Sequence, residues 1–344
     1  MMVQVKIFFF MILSGKVIKI LANFFFVESL DGAVWECFVR SRAKKEGKEV
    51  LIGDEVIFEQ ISNNQGIITE VKNRRNKLIK PQVANIDLIL IVFSSVKPEL
   101  DLYNLDRYIS YISYELFGSE IIICINKIDL KEITIDSIYD NTGIKTLYIS
   151  ARNKTGIDNL AQLLKNKNTL LTGPSGVGKS SIIKALIPNL KIEIGDLSSI
   201  DRGKHTTRNI ELIKFRKNND EGYIFDTPGF SKINFNGLDE KKILSTFPEL
   251  LNLNCNYGNC LHLGEEGCMI SEALKKGLSK SRFNSYINII NECREENIYK
   301  TKVESKSKYS GSKSKNIPKI EKKSREDSRR KQKQSIKELD STFE

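Results

Sequence analysis

The run Gly173-Pro174-Ser175-Gly176-Val177-Gly178-Lys179-Ser180 matches GxxxxGK[ST] in full. It follows an apolar stretch and opens a helical one, the context in which this pattern forms a phosphate-binding loop. Glycines let the backbone curl so that its N–H groups surround phosphates, and the helix N-terminus adds a favourable dipole. In that arrangement Lys179 neutralises the β and γ phosphates and assists γ-phosphoryl transfer electrostatically, while Ser180 ligates Mg²⁺. Farther on, Asp226-Thr227-Pro228-Gly229 ends another apolar run. A carboxylate there can hold Mg²⁺ through water, and the Gly229 N–H can reach a γ-phosphate. This tetrapeptide is weak alone and strong beside the phosphate loop.

Base identity is carried by Asn126-Lys127-Ile128-Asp129, immediately after Ile121–Ile125. The Asp129 carboxylate can accept from guanine N1–H and N2–H, whereas adenine offers no matching pair of donors. A buried acceptor left unpaired costs about 1–3 kcal/mol, so the motif selects GTP over ATP. Ser150-Ala151-Arg152, also at a strand end, supplies a backbone donor for guanine O6. In ordinary GTPases the phosphate loop comes first and the base motifs last; here the base motifs precede it. A domain whose termini lie close together tolerates such a circular permutation.

Between the two phosphate motifs lies Gly203-Lys204-His205-Thr206-Thr207-Arg208. Thr206 or Thr207 can close over the γ-phosphate and Mg²⁺, as mobile switch loops do. Phe230 follows Gly229, where many GTPases carry a Gln that orients the attacking water. The loop's best candidate for that task is His205, one of two histidines in the chain. A second constellation, Cys255-x4-Cys260-x-His262-x5-Cys268, offers three thiolates and one imidazole, a Cys3His set for tetrahedral structural Zn²⁺ with no open catalytic position. It lies on Asn/Gly-rich chain that cannot pack a core, so metal binding would supply much of the local folding energy.

These residues need elements to position them. Five short β-rich runs (15–20, 23–27, 33–39, 54–61, 66–71) separated by turn residues predict a small barrel of the OB-fold type. Arg40, Arg42, Lys44, Lys45, Lys72, Arg74, Arg75 and Lys77 point it toward RNA, with a generic β-module as the alternative. From residue 85, apolar strands at 86–93, 121–125, 146–149, 169–172 and 223–225 alternate with helical segments near 100–117, 157–165, 179–188 and 238–247. That pattern predicts a mostly parallel α/β domain. A helical stretch from 271 to about 296 follows the Cys/His cluster.

The chain of 344 residues is long enough for two or three domains, and its 40% hydrophobic content is that of a globular protein. Its net charge of +11 is concentrated at one end, with 14 Lys/Arg against 4 Asp/Glu between Tyr299 and Ser335. That tail has almost no large apolar residues and cannot fold alone. The six cysteines lack a disulfide pattern and suit a reducing compartment, so the expected location is cytoplasmic. The apolar stretch from Lys6 to Leu13 is too short to cross a membrane and reads as an extension or first strand.

Motif order, the phosphate loop, the 203–208 loop, Asp226-Thr227-Pro228-Gly229-Phe230 and the Cys3His spacing together resemble the RsgA (YjeQ) family of ribosome-biogenesis GTPases. The likeness extends to Gly53-Asp54-Glu55-Val56 and Arg282-Phe283-Asn284-Ser285-Tyr286. It implies a multi-domain chain. An N-terminal OB-fold β-barrel would span residues 1–80, and a circularly permuted α/β P-loop GTPase domain 81–237. A helical zinc-binding domain would span 238–298, before a basic tail over 299–344. By position it puts nucleotide contacts on Asn126–Asp129 and Gly173–Ser181, Ser181 included, zinc on Cys255, Cys260, His262 and Cys268, and the catalytic histidine on His205. It implies a protein that binds GTP and GDP, contacts 16S rRNA of the 30S subunit late in maturation, and leaves when GTP is hydrolysed; nothing in the sequence demands more than a monomer. The rival readings are an RNA-binding module in which nucleotide only sets affinity, and a GTPase acting on another target.

Overall fold

A computed structural model describes residues 11–39, 49–188, 210–226 and 233–307, with side chains as far as Arg294. Five strands open the chain: β1 (Ile12–Leu21), β2 (Phe24–Ser29), β3 (Val34–Val39), β4 (Glu55–Ser62) and β5 (Gln65–Val71). Each alternates inward apolar and outward polar residues, as in Phe25, Val27, Trp35, Cys37, Val56, Phe58 and Ile68, which fill the interior. The strands pair in the order β1-β2-β3-β5-β4, β4 returns to β1, and β3 and β5 run parallel. This closed five-stranded barrel has the OB-type order. The apolar residues Ile12 and Leu13 begin β1, so part of the N-terminal stretch is a first strand; residues 1–10 lie outside the described residues.

A short hairpin, β6 (Lys77–Leu78) and β7 (Val83–Ala84), leads into the α/β layer. There β8 (Leu88–Ser94), α1 (Leu102–Glu115), β9 (Glu120–Asn126), α2 (Asp136–Tyr139), β10 (Lys145–Tyr148), α3 (Ile157–Leu163), β11 (Asn168–Thr172) and α4 (Lys179–Leu186) alternate. All seven residues of β8 and all five of β11 are buried, which explains the apolar run Leu88–Phe93 in β8, while β11 buries Asn168, Thr169 and Thr172 beside its two leucines. The order is β10-β9-β8-β11 in parallel, continued by β13 (Asp220–Asp226) and its antiparallel partner β12 (Glu211–Lys217). The predicted parallel sheet is therefore present, with one antiparallel strand that sequence reading passed over. Asn218 and Asn219, both at positive φ (49° and 66°), make the two-residue turn that joins β12 to β13.

Strand β12 also meets β1, with Lys19 opposite Glu211, so barrel and α/β layer share one eleven-stranded sheet. Two apolar cores cover its α/β part, one on each face.

The C-terminal part holds α5 (Glu240–Leu244), α6 (Pro248–Leu251), α7 (Ile270–Lys275) and α8 (Lys280–Ser307) around Phe235, Ile243, Phe247, Tyr286 and Ile289. Helix α1 serves two cores. Leu105, Tyr108, Ile109 and Ile112 enter the α/β core, while Tyr103, Tyr111 and Tyr114 pack against the C-terminal one. Helix α8 continues to Ser307, so residues 299–307, expected in the unstructured tail, are helical. Extending an anchored helix needs no new nucleus, and Lys, Glu and Ser at these positions tolerate it. Among the described residues no helix is long and apolar enough to cross a membrane.

Candidate nucleotide site and metal cluster

The phosphate loop leaves the C-terminal end of β11 and enters α4. Gly173 has φ +138°, and a Cβ there would stand 2.0 Å from the Val92 carbonyl oxygen of β8. Gly178 has φ +99°, and its Cβ would stand 2.3 Å from Asn126 Nδ2. Only glycine fits where the loop grazes these two neighbours. Lys179 Nζ donates to the carbonyls of Gly173 and Pro174, each at 2.7 Å, which puts the ammonium inside the loop. Burial lowers its pKa to about 8, opposed by the charge of Asp226. Asp226 ends β13, the parallel neighbour of β11, and its carboxyl is raised by burial and by Glu211, opposed by Lys179. Ser180 and Ser181 follow in the first turn of α4.

Asn126, 2% exposed at the end of β9, joins the motifs. Its Nδ2 donates to the Val177 carbonyl at 2.9 Å, and its Oδ1 accepts from the Ala151 N–H at 3.1 Å. One carboxamide thus holds the phosphate loop against both base-side loops. Lys127, at φ +67°, sends Nζ to the Gly176 carbonyl at 2.7 Å and to the Lys97 carbonyl. Ile128 donates its N–H to the Ile149 carbonyl at 3.3 Å. The Ser150 hydroxyl donates to Asp129 Oδ1 at 2.6 Å and accepts from the Asn153 N–H at 3.1 Å. So Asn126, Lys127, Ile128, Asp129, Ser150, Ala151 and the loop Gly173–Ser180 converge at the carboxyl ends of parallel strands, where open α/β sheets gather their ligands. His205, Thr206, Thr207 and Gly229 lie outside the described residues.

Sequence reading missed the β8–α1 loop. Ser95 donates its N–H to the Asn126 carbonyl at 2.9 Å and its hydroxyl to the Lys127 carbonyl at 2.8 Å. The available signal was Ser94-Ser95 at the end of a fully apolar strand, on the sheet edge that carries the other motifs.

In the C-terminal part, Cys255, Cys260, His262 and Cys268 bring their ligand atoms within 4.8 Å of one another. His262 Nδ1 is 3.6, 3.6 and 3.4 Å from the sulfurs of Cys255, Cys260 and Cys268, and the Cys255 and Cys268 sulfurs are 3.9 Å apart. With Zn–S of about 2.3 Å and Zn–N of about 2.0–2.1 Å, a tetrahedron has S···S edges of about 3.8 Å and S···N edges of about 3.5 Å. The donor set fits zinc. Burial lowers the His262 pKa, which favours the neutral imidazole a metal requires. It also pushes the Cys260 thiol up to about 12, so thiolates here need an adjacent cation. Backbone N–H groups of His262 and Met269 point to the Cys260 and Cys255 sulfurs, each at 3.4 Å. Glu265 accepts from the Leu261 and Leu263 N–H groups, and the Tyr286 hydroxyl donates to the Leu261 carbonyl at 2.6 Å.

Much of the basic cluster near the barrel is committed internally. Arg74 makes two 2.7 Å bonds to the fully buried carboxylate of Asp54, Arg75 pairs with Asp87, and Lys72 lies 3.8 Å from Glu55. Lys77 remains exposed, and residues 40–45 lie outside the described residues.

A family model described as RsgA GTPase matches residues 71–236, and one described as RsgA N-terminal domain matches residues 14–68. Among curated relatives, the small ribosomal subunit biogenesis GTPase RsgA of Alkaliphilus metalliredigens is 36% identical, over 83% of this chain and 99% of that protein. The protein of the same description from Bacillus velezensis is 35% identical, over 82% of this chain and 98% of its own. Among solved structures, YjeQ from Thermotoga maritima aligns with a TM-score of 0.73 at 28% identity, covering 83% of this chain and 99% of that one. YloQ, described as a circularly permuted GTPase, aligns at 0.68 with 29% identity, over 83% and 96% of the two chains.

Proposed function

This chain belongs to the RsgA family of GTPases, and from that premise we infer that it hydrolyses GTP in the biogenesis of the small ribosomal subunit. The observation that carries the reading is the Asn126 carboxamide, which locks a guanine-type base loop and a phosphate loop together although the permuted chain brings them in the reverse order.

In this reading Asp129 accepts from the guanine N1–H and N2–H, oriented by the Ser150 hydroxyl. The Ser150–Arg152 backbone faces O6, and the Lys127 stem covers the base. Gly173–Ser181 wrap the phosphates, Lys179 neutralises the β/γ oxygens, and Ser180 and Asp226 are the groups that would hold Mg²⁺. The bound ion supplies charge neutralisation on the phosphate oxygens. Gly229 and one of Thr206 or Thr207 serve the γ-phosphate side, and His205 orients the attacking water. The Cys3His cluster is a structural zinc site that fixes the loop beneath α8. The protein works as a cytoplasmic monomer whose barrel and zinc module contact 16S rRNA, and hydrolysis releases it.

Phosphate release from GTP, with and without purified small ribosomal subunits and beside an ATP control, tests this. GTP-selective turnover strongly raised by the subunits supports the reading. Tight GTP binding without any stimulation removes the ribosome as activator.

A further inference from the structure

The chain leaving Asp226 reaches described structure again at Ile233, seven residues later, and there it is gripped. Arg107 of α1 sends Nη2 to the Ile233 carbonyl at 3.0 Å and Nη1 to the carboxylate of Glu292 on α8. The Tyr103 hydroxyl donates to the same Glu292 oxygen at 2.6 Å. The guanidinium lies 5.2 Å from the Phe235 ring centre, and Tyr111 meets that ring edge-on. Two residues on, the Gly237 N–H donates to the Cys293 carbonyl of α8 at 3.3 Å. Ile233 itself packs against both the α/β core and the C-terminal core. The Arg107 and Glu292 side chains are 19% and 28% exposed, enough to screen the pair but too little to make it an ordinary surface contact.

We propose that Arg107 is a positioning residue: one guanidinium fixes the exit of the segment that begins at the nucleotide-site carboxylate and ties that exit to α8 of the zinc module. Load on the module thereby reaches GTP turnover, and nucleotide state reaches α8. The planar fork is what makes this possible, because two nitrogens serve two partners at once in fixed geometry, which a lysine ammonium on a flexible stem does not reproduce. One arginine–carboxylate pair of α8 supplies a contrast. Arg294 pairs with Glu240 at 2.8 Å, and both belong to the C-terminal part, so that pair spans no such junction. The turnover half of the proposal rests on the ribosome-stimulated function proposed for this chain; the α8 half does not.

The test uses the full-length zinc-loaded protein, as wild type, Arg107→Lys, Glu292→Gln and Arg294→Gln. Hydrogen–deuterium exchange across residues 280–294 is compared between GDP and a non-hydrolysable GTP analogue. We expect a nucleotide-dependent difference in wild type and Arg294→Gln that is lost in Arg107→Lys and Glu292→Gln. A coupling of ordinary size also predicts a fall of about fivefold or more in subunit-stimulated kcat for Arg107→Lys, with the KM for GTP within about twofold of wild type. If Arg107→Lys does not fold, Glu292→Gln carries both arms. An unchanged exchange difference in Arg107→Lys, its absence from wild type, or an equal loss in Arg294→Gln overturns the proposal. Wild type that small subunits fail to stimulate would instead sink the proposed function, while the exchange arm still decides Arg107.

Discussion

Replacing Asp129 with Asn exchanges one carboxylate oxygen for an amide nitrogen at the base loop. The carboxylate already accepts from the Ser150 hydroxyl at 2.6 Å, which orients it toward the base. In the proposed site its remaining lone pairs receive the guanine N1–H and N2–H. In the variant the amide oxygen can still accept from N1–H, but the amide nitrogen then faces the exocyclic N2–H, donor against donor. One charge-assisted bond worth about 1.5–3 kcal/mol is lost, and a buried donor left unpaired costs about 1–3 kcal/mol more. Taking about 2.5 kcal/mol as the lower end, guanine nucleotide should bind about 60-fold more weakly. Xanthine carries a carbonyl where guanine carries the amino group, so the same amide nitrogen gains an acceptor and xanthine nucleotide should bind more tightly than to wild type. Fluorescent GDP and XDP titrations read both numbers. If GDP affinity falls by less than about tenfold, or XDP affinity does not rise, Asp129 is not the base reader and the guanine assignment is wrong.

Chelation of the metal, or Cys260→Ser, should release bound zinc and lower Tm by several degrees while leaving GDP affinity within about twofold, because the metal organises a loop of the C-terminal part that contributes no residue to the nucleotide motifs. Atomic absorption, calorimetry and a GDP titration check the three parts. Arg282 is 1% exposed and bonded to Asp106 and Glu249, which are 0% and 4% exposed. Arg282→Met should therefore cost about 3–5 kcal/mol in urea unfolding, and most of that loss should return when Asp106→Leu and Glu249→Leu are added. Lys179 has its folded pKa lowered to about 8 from 10.5 by burial. A base lowered in this way destabilises the nucleotide-free fold below about pH 8, and that cost fades as pH rises toward the unfolded value. Phosphate keeps the ammonium charged, so binding above about pH 8 takes up a proton, and GDP affinity should fall by up to about tenfold per pH unit between pH 8 and 9. A flat affinity profile over that range would contradict it.

Strands and chemistry motifs were legible because each rests on local pattern. All five barrel runs and the parallel strands appear within a few residues of their expected bounds, since alternation and continuous apolar runs report burial directly. The nucleotide motifs were legible as motifs, and their meeting followed from strand ends lying side by side. What sequence hid was pairwise and long-range. Strand β12, Glu-Leu-Ile-Lys-Phe-Arg-Lys, carries too many cations to read as a strand, and what makes it one is the Asn-Asn turn that folds it back on β13. The basic residues 72–75 looked like a nucleic-acid surface because charge can be counted, whereas their partners Asp54, Glu55 and Asp87 are known only once folded. Arg282 and Asp106 are 176 residues apart and no local rule pairs them. The double-sided packing of α1 was likewise invisible, since the second core it meets is built by residues more than a hundred positions later.

The pairing of β1 with β12 has a consequence for solubility. A sheet that stopped at β12 would offer a row of unpaired N–H and C=O groups to any other chain, the usual template for strand-on-strand association. The barrel meets that row at its start, where Lys19 pairs with Glu211, while the far end of the sheet closes on β10, only four residues long and begun by Lys145. Cutting the chain near residue 80 would therefore do more than remove a domain. It would uncover a template, and the freed α/β part should self-associate through β12 with Lys214, Arg216 and Lys217 as its remaining protection.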